Sequence, residues 1–158
     1  MYNTEFRFAK KEDVSLILKF IKELAEYEKM SDQVVANEQT LSKWILENNK
    51  AEVIFAMENG VEVGFALFFH NFSTFLGKAG IYLEDLFVMP EFRKRGHGKA
   101  LIKELARIAV ERDCGRLEFS CLDWNKPSID FCLSLGATQM NGWTTYRFTG
   151  ESLYNLSK

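Results

Sequence analysis

The sequence predicts a mixed α/β fold: a central, mostly antiparallel mixed sheet with helices on both faces. Three observations predict it. A short strand precedes two helical segments, Asn59-Gly60 lies between two apolar runs as in an antiparallel hairpin, and residues 82–107 pass from a strand through a glycine-containing loop into a helix. The resulting order is β, α, α, three strands, α, β, α, β, which suits a sheet that is covered on both sides.

Length and composition predict one domain over residues 1–158, because 158 residues with 47% hydrophobic content can build one full core. No apolar run approaches the roughly 18 residues of a membrane span and charges begin at Glu5, so we expect a cytoplasmic protein without membrane partners. The cysteines are three in number and lack metal-ligand spacing, which favours reduced thiols and no metal site. A net charge of −2 argues against nucleic acid as a partner.

The first elements follow from local pattern. Residues 5–9 predict a strand, and a helix from about Glu12 to Lys29 follows because its apolar residues recur on one face. Tyr27 and Glu28 end that helix, where the helix dipole disfavours a carboxylate unless a cation approaches it; a solvated helix end is the alternative. Asn37 can cap a second helix.

The middle of the chain predicts three strands. Residues 51–57 and 61–69 flank the Asn59-Gly60 turn, and residues 72–80, with two glycines and exposed-looking aromatics, predict a long connection to the next strand. That strand, residues 81–88, contains Glu84-Asp85, two residues with low strand propensity. Adjacent strand residues point to opposite faces, so at most one of the pair can enter a groove on the core side, where either a cationic substrate or a structural salt bridge would compensate it.

The last elements are shorter. Residues 116–122 alternate as a strand, and a turn around Asp123 to Ser128 leads into a helix that ends at Gly136. Residues 143–148 predict the last strand, and residues 151–156 a short terminal helix.

The basic loop before the third helix is suited to a phosphate, because the unpaired N–H groups and the positive dipole end of a helix start meet there. A Walker-type loop needs Ser or Thr where Ala100 stands, and a dinucleotide fingerprint needs a small residue where Leu101 stands. The pattern Arg/Gln-x-x-Gly-x-Gly/Ala is met by Arg93, Gly96 and Gly98.

This loop resembles the pyrophosphate loop of the GCN5-related N-acetyltransferase (GNAT) superfamily, which binds acetyl coenzyme A. More narrowly, KELAEYE near residue 25, YLEDLFV at residues 82–88 and WNKPSIDF at residues 124–131 resemble the spermidine/spermine (diamine) acetyltransferases and their thialysine-acetylating relatives. The resemblance covers nearly the whole chain and implies a sheet of about seven strands that splays open like a V.

The resemblance also implies site residues. The pantetheine arm of acetyl coenzyme A would pair with the backbone of Leu86, Phe87 and Val88. Its diphosphate would contact the loop residues Arg93, Lys94, Arg95, Gly96, His97, Gly98 and Lys99, with Asn125, Pro127 and Ser128 lining the other side of the coenzyme. The amine acceptor would be lined by Tyr27, Glu28, Glu84, Asp85, Glu118, Phe119 and Ser120.

The chemistry implied is direct transfer of acetyl to a primary amine of a small cationic acceptor, such as a diamine, a polyamine or a lysine-like amino acid. Glu84 is the candidate that takes the proton of the amine, and the N–H of Leu86 or Val88 is the candidate donor to the oxyanion. A noncatalytic acetyl coenzyme A binding module and a protein or peptide acetyltransferase are the alternatives. Phe72, Phe75 and Leu76 argue against the latter, since they suggest a covered acceptor groove.

Cys132 stands where this family usually carries a tyrosine that protonates the leaving thiolate. A cysteine is shorter and titrates nearer ~8.5 than ~10, and it shares an apolar helix face, so a small buried hydrophobe is the alternative to an acid. Tyr146 or a water molecule could replace the acid. By analogy with the family we also expect a homodimer, for which exposed aromatics such as Trp143 and Tyr146 would suit an interface.

Overall fold

The computed structural model describes residues 2–158, whose contacts group into two compact units that divide after Ser120. The first unit contains the sheet and three α-helices: β1 (Glu5–Phe8), α1 (Val14–Tyr27), α2 (Glu38–Leu41), β2 (Glu52–Glu58), β3 (Val61–Ser73), β4 (Lys78–Val88), α3 (His97–Glu111) and β5 (Leu117–Phe119). The second unit contains two helices, α4 (Lys126–Ser134) and α5 (Gly150–Leu156).

The strands follow the order β1-β2-β3-β4-β5, with antiparallel pairing up to β4 and a parallel pairing between β4 and β5. The predicted mixed, mostly antiparallel sheet is therefore confirmed. Among residues 2–158 it has five strands and not about seven, and residues 143–148, predicted as the last strand, form none. An alternating pattern defines two faces, but a strand also needs the edge of a neighbouring strand to pair with.

Local signals set the start of the first helices. A 3₁₀ turn over Lys11–Asp13 precedes α1, so the α-helix proper begins two residues later than predicted. The predicted Asn37 cap is confirmed, since its Oδ1 accepts a hydrogen bond of 2.9 Å from Thr40 N–H. Beyond α2 the chain winds more widely, as a π-helix over Ser42–Glu47.

The hairpin between β2 and β3 forms as predicted, with positive φ at Asn59 (51°) and Gly60 (78°) as a primed turn requires. The long connection predicted at residues 72–80 is wrong, because β3 and β4 pair up to Ser73 and Lys78 and leave only a short turn. Gly80 lies inside the strand, where a Cβ would come within 2.6 Å of Asn71 Oδ1. This glycine therefore permits a close approach and does not mark a loop.

Two apolar cores lie on opposite faces of the sheet. The core under α3 contains Leu101, Leu105 and Ile108, packed on the side chains of Ile54, Ala56, Val63, Ala66, Phe68, Ile81 and Leu83. The core under α1 contains Ile17, Phe20 and Leu24, packed on the side chains of Val53, Phe55, Phe65, Leu67 and Phe87. Neighbouring strand residues enter opposite cores, so helices cover both faces as predicted.

A β-bulge interrupts β4 at its acidic pair. Leu67 pairs with Asp85 and Phe68 pairs with Leu83, so Glu84 is an extra residue without a partner on β3. An extra residue reverses the alternation beyond it. Asp85 and Phe87 therefore lie on the α1 side of the sheet, whereas Leu83 lies on the α3 side.

Candidate functional site

The loop between β4 and α3 presents a row of unpaired backbone N–H groups. Lys94 and Gly96 both have positive φ, 62° and 89°, and α3 starts at once without a side-chain cap. Ala100 N–H donates to Gly96 O at 2.9 Å, but across residues 2–158 no acceptor is recorded for the N–H groups of residues 96–99. Four free N–H donors and the positive end of a 15-residue helix dipole are suited to an anion.

The basic side chains of this loop have different positions. Arg93 Nε donates to Val88 O at 2.9 Å, and the guanidinium lies 5.2 Å above the Tyr27 ring. Arg95 Nη1 donates to Glu58 Oε2 at 2.6 Å, and the His97 ring is buried. Lys94 and Lys99 are exposed and extend from this loop as cations without a recorded anionic partner among the described residues. The predicted anion site is thus made mainly of backbone groups.

One edge of β4 is open beside this loop. β5 pairs with β4 only from Ile81 to Leu83, so residues 84–88 have β3 on one side and no strand of the described sheet on the other. Met89 N–H donates to Val63 O of β3, and N–H groups of alternate residues point to opposite edges. The N–H groups of Leu86 and Val88 therefore point to the open edge, which matches the V-shaped opening that the resemblance implies.

Three carboxylates cluster where the bulge meets the end of α1. Burial first, and then the charges of Glu84 and Glu28, together raise the pKa of Asp85 to about 7. Burial also raises the pKa of Glu28, with a smaller contribution from Glu84. The charge contributions to these pKa shifts arise because the carboxylates lie near one another, so the structure brings together three of the residues predicted to line the amine acceptor.

A recess of about 170 Å³ opens beside this carboxylate cluster (Glu28, Glu84 and Asp85). It is lined by Ile21, Leu24, Ala25, Glu28, Met30, Gln33, Val34 and Asp85. No ion pair between a described lysine, arginine or histidine and any of the three carboxylates is recorded. Within the described residues, no recorded salt bridge compensates Glu84 or Asp85, so negative charge lies beside the recess.

The other predicted acceptor residues in the first unit have their own contacts. Glu118 Oε1 accepts a hydrogen bond of 3.2 Å from Asn71 Nδ2, and Ser120 Oγ lies 2.7 Å from Tyr82 Oη. Phe119 packs against the core under α3. Among residues 2–158, no recorded hydrogen bond or ion pair joins these three residues to the carboxylate cluster.

The candidate residues of the second unit are grouped around α4. Asn125 caps this helix through its Oδ1, which accepts from Ser128 N–H at 3.4 Å, and Pro127 lies in the first turn. Burial and the adjacent Cys121 thiol raise the pKa of Cys132 to about 12. Tyr146 is 87% exposed.

Sequence reasoning recognised both acidic residues of β4 but assigned proton transfer to Glu84 alone. The raised pKa of Asp85 depends on a bulge, and no local pattern in the strand predicts where a bulge occurs. The recess residues Met30, Gln33 and Val34 were also missed, since they belong to an irregular segment after α1 with no motif of its own.

A profile of the acetyltransferase (GNAT) family matches residues 18–137, which is more than half of the chain. The chain belongs to this family. It is 38% identical over 169 residues to the thialysine N-epsilon-acetyltransferase of Sus scrofa, with 99% of each chain covered. It is 39% identical over 163 residues to the enzyme of that name from Bos taurus, with 96% of this chain and 95% of the relative covered.

The same fold occurs in an integron cassette protein from the mobile metagenome of V. cholerae, with a TM-score of 0.81, 31% identity and 98% of each chain covered. The chain is thus an N-acetyltransferase, and acetyl coenzyme A is its acetyl donor. The four free N–H groups and the open edge of β4 suit such a donor. Within residues 2–158, the acetyltransferase has no helix that is long and apolar enough to cross a membrane.

Proposed function

We propose that this acetyltransferase transfers acetyl to a primary amine of a small cationic acceptor, a diamine, a polyamine or a lysine-like amino acid. The observation that carries the proposal is the carboxylate cluster beside the recess, which has no recorded cationic partner in residues 2–158. Glu28 and Asp85 are partly buried and Glu84 is exposed, and a negative cluster of this kind favours a cation that brings positive charge and hydrogen-bond donors together. Relatives that align along the whole chain are named for thialysine, a lysine-like amino acid.

Acetyl coenzyme A, the acetyl donor, would lie along the loop between β4 and α3 and along the open edge of β4. The free N–H groups of residues 96–99 would bind the diphosphate, with Lys94 and Lys99 adding charge, and the open edge of Leu86 to Val88 would pair with the pantetheine arm. Bound there, acetyl coenzyme A supplies an acetyl group as a thioester. A Cβ built on Gly98 meets no protein atom within 4 Å, so the space beside this residue is open to a ligand.

The three carboxylates would together bind the acceptor amine and accept its proton. Asp85, with a pKa of about 7, can accept a proton near neutral pH, whereas an ordinary carboxylate is too weak a base. Glu84 and Glu28 would hold the ammonium groups and keep the acceptor in place. This assignment moves the proton-accepting role from Glu84 to its neighbour, and the N–H of Leu86 or Val88 remains the candidate donor to the oxyanion.

The proton for the leaving thiolate would come from water or from Tyr146. A thiol with a pKa of about 12 holds its proton too tightly to donate it readily to a coenzyme thiolate, so Cys132 is poorly suited to be the acid. The same pKa leaves almost no Cys132 thiolate near neutral pH, which argues against a covalent acetyl-cysteine route.

We further propose that residues 1–158 form one acetyltransferase domain, because the family match crosses the division after Ser120. The cytoplasm is the proposed compartment, in keeping with three cysteines that are free in the structure. A homodimer is proposed on the exposure of Trp143 (74%) and Tyr146.

The test is a panel of amines assayed with acetyl coenzyme A by release of free thiol. We expect turnover with thialysine, lysine, diamines or polyamines and none with monoamines of the same length, which lack a second charged group. Turnover that depends on chain length but not on charge would contradict the proposal. A peptide that outcompetes every small amine would favour the protein acetyltransferase alternative.

A further inference from the structure

Side chains from three separate parts of the chain meet beneath the loop between β4 and α3. The His97 ring is 1% exposed, and its Nδ1 and Nε2 lie 2.8 Å from Thr4 Oγ1 and 2.9 Å from Glu58 Oε1. The other oxygen of Glu58 accepts a hydrogen bond of 2.6 Å from Arg95 Nη1. A single carboxylate, whose side chain is 10% exposed, thus holds both an arginine of the loop and the first residue of α3.

The contacts of His97 are complete. A carboxylate only accepts hydrogen bonds, so Nε2 carries the proton toward Glu58, and the Thr4 hydroxyl satisfies Nδ1 as a donor or as an acceptor. A buried ring with both nitrogens paired has no capacity left for a ligand. His97 therefore contributes its backbone N–H to the anion site, while its side chain anchors that part of the loop.

The loop needs such an anchor. Lys94 is a non-glycine residue in the left-handed region, with φ of 62°, and no side chain caps the helix start. The Arg95 guanidinium lies 4.6 Å from the Tyr2 ring and 5.0 Å from the Phe92 ring, so contacts on its faces add to the bond with Glu58. Local preferences do not stabilise this conformation, and tertiary contacts must hold it.

We propose that Glu58 is a positioning residue for donor binding: it fixes Arg95 and His97, and thereby keeps the N–H groups of residues 96–99 aimed at one point. The inference rests on the proposed place of the diphosphate in this loop. Because Glu58 acts through the loop, its loss weakens the binding of only those acetyl donors that carry a diphosphate.

The experiment compares Glu58→Gln with the wild-type protein. Glutamine keeps the size but not the charge and has one accepting oxygen, so Arg95 or His97 loses its partner. We expect the Kd of coenzyme A, measured by calorimetry, to rise about tenfold or more. With S-acetylpantetheine, which lacks the diphosphate, kcat/KM is expected to stay unchanged.

Two further variants complete the test. Glu52→Gln is the matched control, since Glu52 lies on the same strand and pairs with Arg112 through two bonds of 2.7 and 3.0 Å; its coenzyme A affinity should equal that of the wild type. Thr4→Val removes only the hydroxyl that pairs with Nδ1, so it perturbs the network with little risk to folding. We expect a severalfold rise in the Kd of coenzyme A and no change with S-acetylpantetheine.

Other outcomes would overturn the inference. Unchanged coenzyme A affinity in both Glu58→Gln and Thr4→Val, or an equal loss with both donors, would show that Glu58 does not position the loop. Tighter binding in Glu58→Gln would mean that Arg95 is itself a diphosphate ligand for which Glu58 competes. If the wild-type protein bound S-acetylpantetheine as tightly as coenzyme A, the proposed diphosphate site would fail, and the positioning role with it.

Discussion

Asp85 is a carboxylate that the fold makes more basic than it is in an unfolded chain. Its pKa is raised from 3.8 to about 7, chiefly by burial and then by Glu84 and Glu28. Because the folded state holds this proton more tightly, it binds more protons than the unfolded state between about pH 4 and pH 7. Ionisation of Asp85 therefore lowers the free energy of unfolding progressively as the pH rises through that window. This loss of stability is the cost of placing a base in a recess.

Asp85→Asn should relieve this cost. Because the pKa is raised from 3.8 to about 7, we expect the variant to be more stable than the wild type at pH 8, by on the order of 4 kcal/mol. The difference should vanish below about pH 3, where the carboxyl group is protonated in both states. Urea unfolding at several pH values measures this difference, with Asp32→Asn, the same substitution at an exposed position, as the control. A loss of stability in Asp85→Asn at pH 8 would contradict this account.

Glu84→Gln tests the binding of the acceptor. Removing one carboxylate from the cluster should lower kcat/KM for the amine about tenfold or more and leave the affinity for coenzyme A unchanged, because the loop and the open edge remain intact. Glu38→Gln makes the same charge change at an exposed position of α2 and should leave both quantities unchanged. Equal weakening of amine and coenzyme binding in Glu84→Gln would instead indicate a structural role.

At the scale of elements, the bulge in β4 connects the two halves of the site. The extra residue places Asp85 on the α1 side, beside Glu28, and directs the N–H groups of Leu86 and Val88 to the open edge. Without it, the alternation would point the N–H groups of Leu86 and Val88 toward β3. One irregularity in a strand would thus serve both the proposed acceptor site and the proposed site of acetyl coenzyme A.

Gly64→Ala tests the close packing of β3 against the end of β4. A Cβ at Gly64 would lie 2.4 Å from Phe87 O and 3.1 Å from Val88 Cα, so backbone must move to admit it. We expect a loss of about 2 kcal/mol, which lowers Tm by roughly 5 °C, together with a higher KM for acetyl coenzyme A.

Gly142→Ala is the matched control for that substitution, because a Cβ there meets nothing within 4 Å and the φ of Gly142 is not positive. Its Tm and KM should equal those of the wild type. A Gly64→Ala variant with unchanged Tm and KM would show that the two strands tolerate separation at this point.

At the scale of the whole molecule, exposed aromatic side chains are the basis for predicting a homodimer. Trp143, Tyr146 and Phe148 are each more than half exposed, and the stretch that carries them forms no strand in the structure. Aromatic groups of this size are rarely left in water over a whole segment of a monomer.

We therefore expect light scattering after size exclusion to give twice the chain mass of 18.3 kDa. Trp143→Ser combined with Tyr146→Ser should shift the mass toward a single chain, because it removes the apolar area that a partner would cover. Phe75→Ser is a control that removes another exposed aromatic, 91% exposed, from the β3–β4 turn. A single-chain mass of the wild type at every concentration would exclude the dimer.

Much of the fold was predictable because its signals are local. The Asn59-Gly60 turn, the Asn37 cap and the passage from β4 through the glycine loop into α3 depend on residues within a few positions of one another. The strand predicted at residues 143–148 failed because pairing requires a distant edge, which no local pattern reports.

The sequence by itself determined that the chain has a basic, glycine-containing loop before a helix, an acidic pair in a strand and the family of an acetyltransferase. Only the tertiary structure decided that Glu84 bulges, that Asp85 meets Glu28, and that the loop rests on a carboxylate 39 positions away from His97. The reason is physical. Backbone preference acts between near neighbours, whereas burial and charge depend on residues that folding brings together.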